Sequence, residues 1–290
     1  MEKTYELMPN AKMLLSSLRS VGYTEETAIA DIVDNSISSG ANTIQLYFDW
    51  DDQTILIADN GKGMQKKELL DSMKIGSSDP GVTRSASDLG RFGMGMKTAS
   101  FSLGKQLLVI TKQKDEINNA EWNLEYVENE DKWEILIHSD EKIDTYIKSK
   151  TDKIEFQNWD EGTLISLSML DKLIDENNMQ KSKVKFYKTV EKVKKHLAMI
   201  FHRFIEEDNL QIYVNKNLLE AWNPFIRQNP ATMELACEEL FDGKTIVSIE
   251  PYILPHKTKF EDEEAFKKAG GAKDWLAHQG FYVYRNRRLI

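Results

Sequence analysis

Residues 88–102, DLGRFGMGMKTASFS, place Gly90, Gly93 and Gly95 within six positions. Lys97, Thr98 and a run of small and apolar residues follow and read as a helix. Glycine permits positive φ and lets another group approach the backbone closely. A glycine loop running into a helix offers unpaired N–H groups and the positive end of a dipole, which suits phosphate. The same composition serves plain loop geometry, so the segment alone does not decide. Two phosphate loops are excluded. A Walker loop needs Gly directly before Lys-Ser/Thr, and Met96 intervenes here. The dinucleotide fingerprint reads GxGxxG, whereas this chain reads GxxGxG.

A chain of 290 residues makes one large or two ordinary domains. With 41% apolar and 29% charged residues it has the balance of a soluble globular protein, so no disordered class needs considering. Cys237 is the sole cysteine, which excludes an internal disulfide and a cysteine-based zinc site. It is expected in the core as a small apolar residue. The five histidines do not fall at metal-binding spacing. No apolar run reaches membrane-spanning length, and residues 1–5 lack the apolar core of a signal peptide. A cytoplasmic protein with no membrane association is expected. The net charge of −9 argues against a surface that binds nucleic acid throughout, and leaves room for a local basic patch.

Along the chain, residues 1–9 lack periodicity and read as an arm. Met13, Leu14, Leu15 and Leu18 predict a helix over 10–21, ended by Gly22. Thr24 caps a second helix, with Glu25 and Glu26 at its positive end, that runs to about Ser39 and stops at Gly40. Asp31 and Asn35 lie four apart and so share a face, roughly 5–6 Å between Cβ atoms. Their neighbours Ala28, Ile29, Ile32, Val33 and Ile37 are apolar, so the helix is expected to be buried on most sides. Ile44, Leu46, Phe48 and Trp50, a turn at Asp51-Asp52, then Ile55 and Ile57 predict a hairpin. Its second strand runs into Asp59-Asn60-Gly61-Lys62-Gly63-Met64. Asn-Gly is a turn dipeptide. An acidic residue ending an apolar strand before two glycines equally suits a ligand lying against the backbone. A calcium loop is excluded, because the ladder of oxygen residues stops at Gly63.

Residues 66–74 predict a short helix, and 75–87 have the composition of a mobile lid before the glycine loop. Strands are expected at 107–111, 122–127, 133–138 and 162–168, with 139–160 polar and mixed. A composition shift over 171–185 marks a domain boundary. Tyr187, Val190, Val193, Leu197, Ile200, Phe201 and Phe204 then mark one face of a long helix. Lys185, Lys188, Lys192, Lys194 and Lys195 form its solvated face. Strands follow near 210–214 and 246–254. Residues 280–290, GFYVYRNRRLI, alternate as a last strand, whose ending in mid-element suggests a piece of a longer protein.

Four features thus stand in one order: the helix with Asp31 and Asn35, the DNGKG turn, the GxxGxG-Lys loop, and the Gly162-Thr163 strand. In that order and spacing the chain resembles the GHKL ATPase superfamily, the group of gyrase B, the ninety-kilodalton heat-shock chaperones, sensor histidine kinases and MutL. It has the look of the MORC and MutL branch and of bacterial proteins of that type. The resemblance covers residues 10–170, and residues 185–290 look like the transducer domain that follows in those relatives. It implies an α+β fold: a Bergerat-type α/β sandwich, a mixed sheet with helices on one face, followed by a smaller α/β transducer-like domain. The expected division is 1–175 and 176–290.

The resemblance also implies roles by position. Asp59 would accept the adenine amino group, with Thr163 supporting the contact, Gly61 and Gly63 turning beneath the base and Met64 walling the pocket. Asn35 would bind Mg²⁺. Gly90, Arg91, Phe92, Gly93, Met94, Gly95, Met96, Lys97 and Thr98 would wrap the phosphates of ATP, with Lys97 adding charge during transfer. Asp31 stands where most hydrolysing relatives carry glutamate as the base, a departure that implies slow hydrolysis. Ser38 stands where relatives usually carry aspartate. The expected function is a slow, Mg²⁺-dependent ATPase whose N-terminal halves close into a homodimer on ATP, a clamp module acting on DNA or in defence. The alternative is an ATP sensor that does not hydrolyse. A histidine kinase is disfavoured, because His196 and His202 follow the nucleotide motifs instead of preceding them.

Overall fold

The computed structural model describes residues 5, 10–20, 22–76, 95–241, 243, 246–271 and 274–290. Helix α1 (Ala11–Arg19) starts at Asn10, whose side chain accepts from the Met13 N–H at 3.0 Å. Helix α2 (Glu25–Ser38) starts at Thr24, whose backbone N–H and side chain both engage Thr27. That reciprocal cap satisfies donors the first turn leaves open. Strands β1 (Thr43–Asp49) and β2 (Thr54–Asp59) form the expected hairpin, and every residue of β2 is buried. Helix α3 (Lys66–Met73) precedes α4 (Gly95–Leu103). Strands β3 (Gln106–Gln113) and β4 (Glu116–Asn123) pair antiparallel, then come α5 (Leu124–Glu130), α6 (Asp140–Lys148) and β5 (Gly162–Ser168).

The long helix α7 (Met179–Ile200) is followed by α8 (His202–Glu207), β6 (Gln211–Val214) and β7 (Asn217–Leu218). The main sheet has the order β4-β3-β5-β2-β1-β6-β7. Its pairs are antiparallel except β1 with β6, so the sheet is mixed. Beyond it lie short pieces: β8 (Met233–Glu234), β9 (Glu238–Phe241), β10 (Ile246–Ile249), β11 (Tyr252–Ile253), α9 (Glu263–Ala269), α10 (Asp274–Ala277), β12 (Tyr284–Arg285) and β13 (Arg288–Leu289).

The larger core joins the sheet to α1, α2, α4 and α7, through residues such as Ile32, Ile57, Phe101, Val109, Phe186 and Leu197. A smaller cluster on the other face sets Ile143 and Ile147 of α6 against Leu56, Ala58, Ile110 and Leu164. The architecture is the α/β sandwich with a mixed sheet that the resemblance implied.

Several local expectations are corrected. The strand expected at 122–127 stops at Asn123, which ends β4 and caps α5, accepting from the N–H groups of Glu125 and Tyr126. Residues 133–138 pair only through a bridge between Leu136 and Glu121. The polar stretch 139–160 holds α6, whose buried Ile143 and Ile147 are four apart. On α7 the first buried apolar residue is Phe186, not Tyr187, which is exposed. Cys237 is exposed instead of lying in the core. The 246–254 strand breaks into β10 and β11 at Glu250 and Pro251. The terminal stretch is a hairpin, not one strand, because Asn286 and Arg287 turn the chain at φ +49° and +70°.

Candidate functional site

Asp59 ends β2 and is buried, 4% exposed. Its Oδ2 accepts from the Ser36 hydroxyl at 2.8 Å and its Oδ1 from the Gly61 N–H at 2.9 Å. Burial pushes its carboxyl above the ordinary carboxylate range, and the bonds from Ser36, Gly61, Thr163 and Ser39 pull it back. Strand register sets Thr163 of β5 beside Asp59 on one side and beside Thr111 of β3 on the other. The Thr111 hydroxyl bonds the Gly162 carbonyl at 3.2 Å and accepts from the Met64 N–H at 2.8 Å. Met64 packs, half-buried, on the larger core. The two turn glycines are packed tightly from below. A Cβ on Gly61 would sit 1.9 Å from the Ser39 hydroxyl oxygen, and one on Gly63, at φ +62°, 2.0 Å from the Lys112 carbonyl oxygen.

Helix α2 lies over this strand end and offers its polar face. Asn35 is exposed, and its amide nitrogen donates to the Asp31 carbonyl at 2.8 Å, which leaves the side-chain oxygen as its outward polar atom. Asp31 Oδ2 accepts from the Tyr23 hydroxyl at 2.8 Å, and Oδ1 from Arg288 at 3.2 Å. Burial pushes the Tyr23 phenol up to about 12, and Asp31 adds to that. Asp34 is also bound by Arg288, at 2.7 Å. Burial pushes its carboxyl up to about 7 against the pull of that guanidinium.

Of the glycine loop, Gly90, Arg91, Phe92, Gly93 and Met94 lie outside the described residues, as do 77–87 of the expected lid and all of the 1–9 arm except Tyr5. Gly95 opens α4, and Met96 packs on the larger core. Thr98 donates to the Gly95 carbonyl at 3.3 Å and is bonded to Tyr23. Lys97 is 3% exposed and donates to the Ser72 carbonyl at 2.6 Å. Desolvation lowers its ammonium to about 8. Helices α2 and α4 pack together, and Thr98 of α4 bonds Tyr23, which donates to Asp31.

The family of histidine kinase-, DNA gyrase B- and HSP90-like ATPases matches this chain over residues 23–160. Those residues hold Asp31, Asn35, Asp59, the glycine loop and Lys97. Over residues 23–160 the chain is similar to that ATPase family.

The chain is also similar to parts of MORC proteins. It is 33% identical to ATPase morc-1 of Caenorhabditis elegans over 121 residues, 40% of this chain and 14% of that protein. It is 28% identical to MORC family CW-type zinc finger protein 3 of Mus musculus over 109 residues, 35% of this chain and 11% of that protein. It is 25% identical to ATPase MORC2 of Homo sapiens over 119 residues, 38% of this chain and 11% of that protein. The chain thus matches less than a sixth of the length of these relatives.

The structure brings Asp59, Thr163, Gly61, Gly63 and Met64 together at one strand end, and Asp31 and Asn35 onto the helix above it. Lys97 is turned toward α3. Four partners were not read from the sequence: Tyr23, Ser36, Asp34 and Arg288. Ser36 had a signal, since it follows Asn35 on a helix expected to be buried. Arg288 had none, because its contacts span more than 250 positions. Among the described residues no helix is long and apolar enough to cross a membrane.

Proposed function

We propose that this chain binds ATP with Mg²⁺ and hydrolyses it slowly, as the ATPase module of a larger clamp-type protein. Asp59 carries the reading: it is a buried carboxylate, held by Ser36 and Gly61, at the end of an apolar strand. Ionised, it only accepts, so it matches the amino group of adenine and disfavours guanine, which offers an oxygen there. The sites of Thr163 and Met64, at the same strand end, suit them to support and wall the base.

Asn35 fits a Mg²⁺ ligand, because its amide oxygen is outward and exposed while its nitrogen is fixed on Asp31. Mg²⁺ needs few protein oxygens and completes its shell from phosphates and water. Bound there, it would neutralise phosphate charge. Asp31 is the group to take the proton from the attacking water. A positioned base is worth about 10²–10⁴ in rate, and a shorter aspartate forgoes part of that. Lys97 would turn from Ser72 to the phosphates when the loop wraps them. The ATP-binding part over 1–175 and a transducer-like part over 176–290 belong to this proposal, with α7 of the latter packed on the main sheet and β6 paired with β1. Closure into a homodimer on ATP, a cytoplasmic setting and a role on DNA or in defence belong to the same proposal. Any nucleic-acid contact would fall on the lysine face of α7.

The engagement of both Asp31 oxygens, by Tyr23 and Arg288, favours a second reading, ATP sensing without turnover. Calorimetric titration with ATP and GTP, with and without Mg²⁺, together with phosphate release, tests both. ATP binding strengthened by Mg²⁺, no GTP binding and slow phosphate release support the ATPase. Binding without phosphate release selects the sensor, and no ATP binding refutes both. Light scattering with a non-hydrolysable ATP analogue and Mg²⁺ tests closure, for which the mass should double.

A further inference from the structure

We propose that Arg288 is the positioning residue for Asp31, bridging it to Asp34 from the C-terminal hairpin and so making turnover depend on that hairpin's docking. The inference rests on the ATPase reading. The turn at Asn286 and Arg287 reverses the chain, so that Leu289 enters the larger core at 5% exposure. Four further contacts fix the hairpin from the side of α8. Arg287 pairs with Glu207 and Asp208, the Tyr284 hydroxyl meets buried His202 at 2.8 Å, and the Arg203 guanidinium lies over the Tyr284 ring at 3.9 Å. Between these anchors Arg288 is directed at α2, with its guanidinium 5.9 Å from the Phe201 ring centroid.

The guanidinium meets two carboxylates at once. Its Nε donates to Asp34 at 2.7 Å and its Nη2 to Asp31 at 3.2 Å. The carboxylates are three positions apart on one helix face, where like charges repel. A planar fork compensates both and holds them in one geometry. Asp31 is then held at both oxygens, by Tyr23 on one and Arg288 on the other. Each carboxylate oxygen keeps a further lone pair, so a fixed Asp31 can still accept from a water. The short side chain cannot search for that water as a glutamate could. Its placement is set by the two partners that hold it, one of them 257 residues away.

The experiment measures Mg·ATP affinity by calorimetry and kcat and KM by phosphate release, for the wild-type chain, Arg288→Gln and Arg288→Lys. Small misplacements of a reacting group cost up to about a hundredfold. Arg288→Gln is expected to lower kcat by about ten- to a hundredfold while affinity stays within about twofold. Arg288→Lys keeps the charge and so guards against a folding loss. A lysine is a point charge that cannot bridge both carboxylates, so its kcat is also expected to fall, at wild-type melting temperature. Wild-type kcat in either variant overturns the assignment. So does a parallel loss of affinity and kcat in Arg288→Lys, which would mark a merely structural contact. A wild-type chain that binds ATP without turnover removes the positioning role. One that binds no ATP removes the ATPase reading as well, so the two failures are told apart.

Discussion

The Ser36 hydroxyl donates to Asp59 Oδ2 at 2.8 Å, joining a buried position of α2 to the end of β2 across 23 residues. The bond does two things. It keeps a buried carboxylate in its acceptor form, and it sets which lone pairs remain for a ligand. A hydrogen bond to a charged group is worth about 1.5–3 kcal/mol. Ser36→Ala should therefore weaken ATP binding by about tenfold or more at neutral pH, with less effect at higher pH, where Asp59 is ionised without help. Asp59→Asn should abolish binding, since an amide can present a donor to the adenine amino group. Calorimetry measures both; unchanged affinity in Asp59→Asn would remove Asp59 from the pocket.

Asn35→Ala should remove the Mg²⁺ dependence of ATP affinity and nearly all turnover, with the fold intact, because the side chain is exposed and its one described bond is to its own helix. ATP titration across Mg²⁺ concentrations checks this. Full Mg²⁺ dependence in the variant would place the metal elsewhere.

Much of this site was legible because its signals are local. The Thr24 cap, the Asp31/Asn35 spacing and the apolar strand ending at Asp59 each depend on neighbours within a few positions. The sandwich was expected from the family resemblance that their order carries. What stayed hidden is long-range or depends on phase. Arg288 reaches Asp31 only because a two-residue turn reverses the chain, and alternation over 280–290 gives no sign of that turn. Asn123 reads as a strand residue until its side chain is seen capping α5. One residue of helical phase moved Tyr187 out of the core and Phe186 into it.

Lys97 makes a pH prediction. Its folded value of about 8 lies below the ordinary 10.5, because burial penalises the ammonium. Below pH 8 the fold bears the whole cost of the buried charge. Between 8 and 10.5 the folded chain has released a proton that the unfolded chain keeps, so this group's contribution to stability rises with pH. Lys97→Met should flatten that rise and stabilise the nucleotide-free chain at pH 7, as denaturant titrations at several pH values would read. If Lys97 turns to the phosphates of ATP, its pKa rises on binding. At pH 8.5 binding should then take up protons, seen as heats that depend on buffer ionisation enthalpy. No uptake would place Lys97 away from the triphosphate.

Gly63 combines φ +62° with a Lys112 carbonyl oxygen 2.0 Å from where a Cβ would lie. The neighbour is backbone and cannot swing aside. Gly63→Ala should cost at least about 2 kcal/mol of stability and disturb the Met64–Thr111 bond beside the base site. A melting temperature within a degree or two of wild type would show that the turn can open.

Asp31 is the last test, because two roles for it predict opposite results. As the base, it must be ionised and able to reach a water. Asp31→Asn keeps the shape, but its amide cannot take a proton. Phosphate release should then fall by about 10²–10⁴ while ATP affinity holds. Asp31→Glu adds one methylene. The Asp31 side chain is 33% exposed, so the longer chain has room to extend on the solvent side of α2 without entering the core. The added methylene lengthens the carboxylate's reach toward a water, so turnover at saturating ATP should rise. If Asp31 serves only as a structural partner of Arg288, the glutamate gains nothing and the asparagine loses only stability. An Asp31→Asn chain as active as wild type at saturating ATP would end the proposed role.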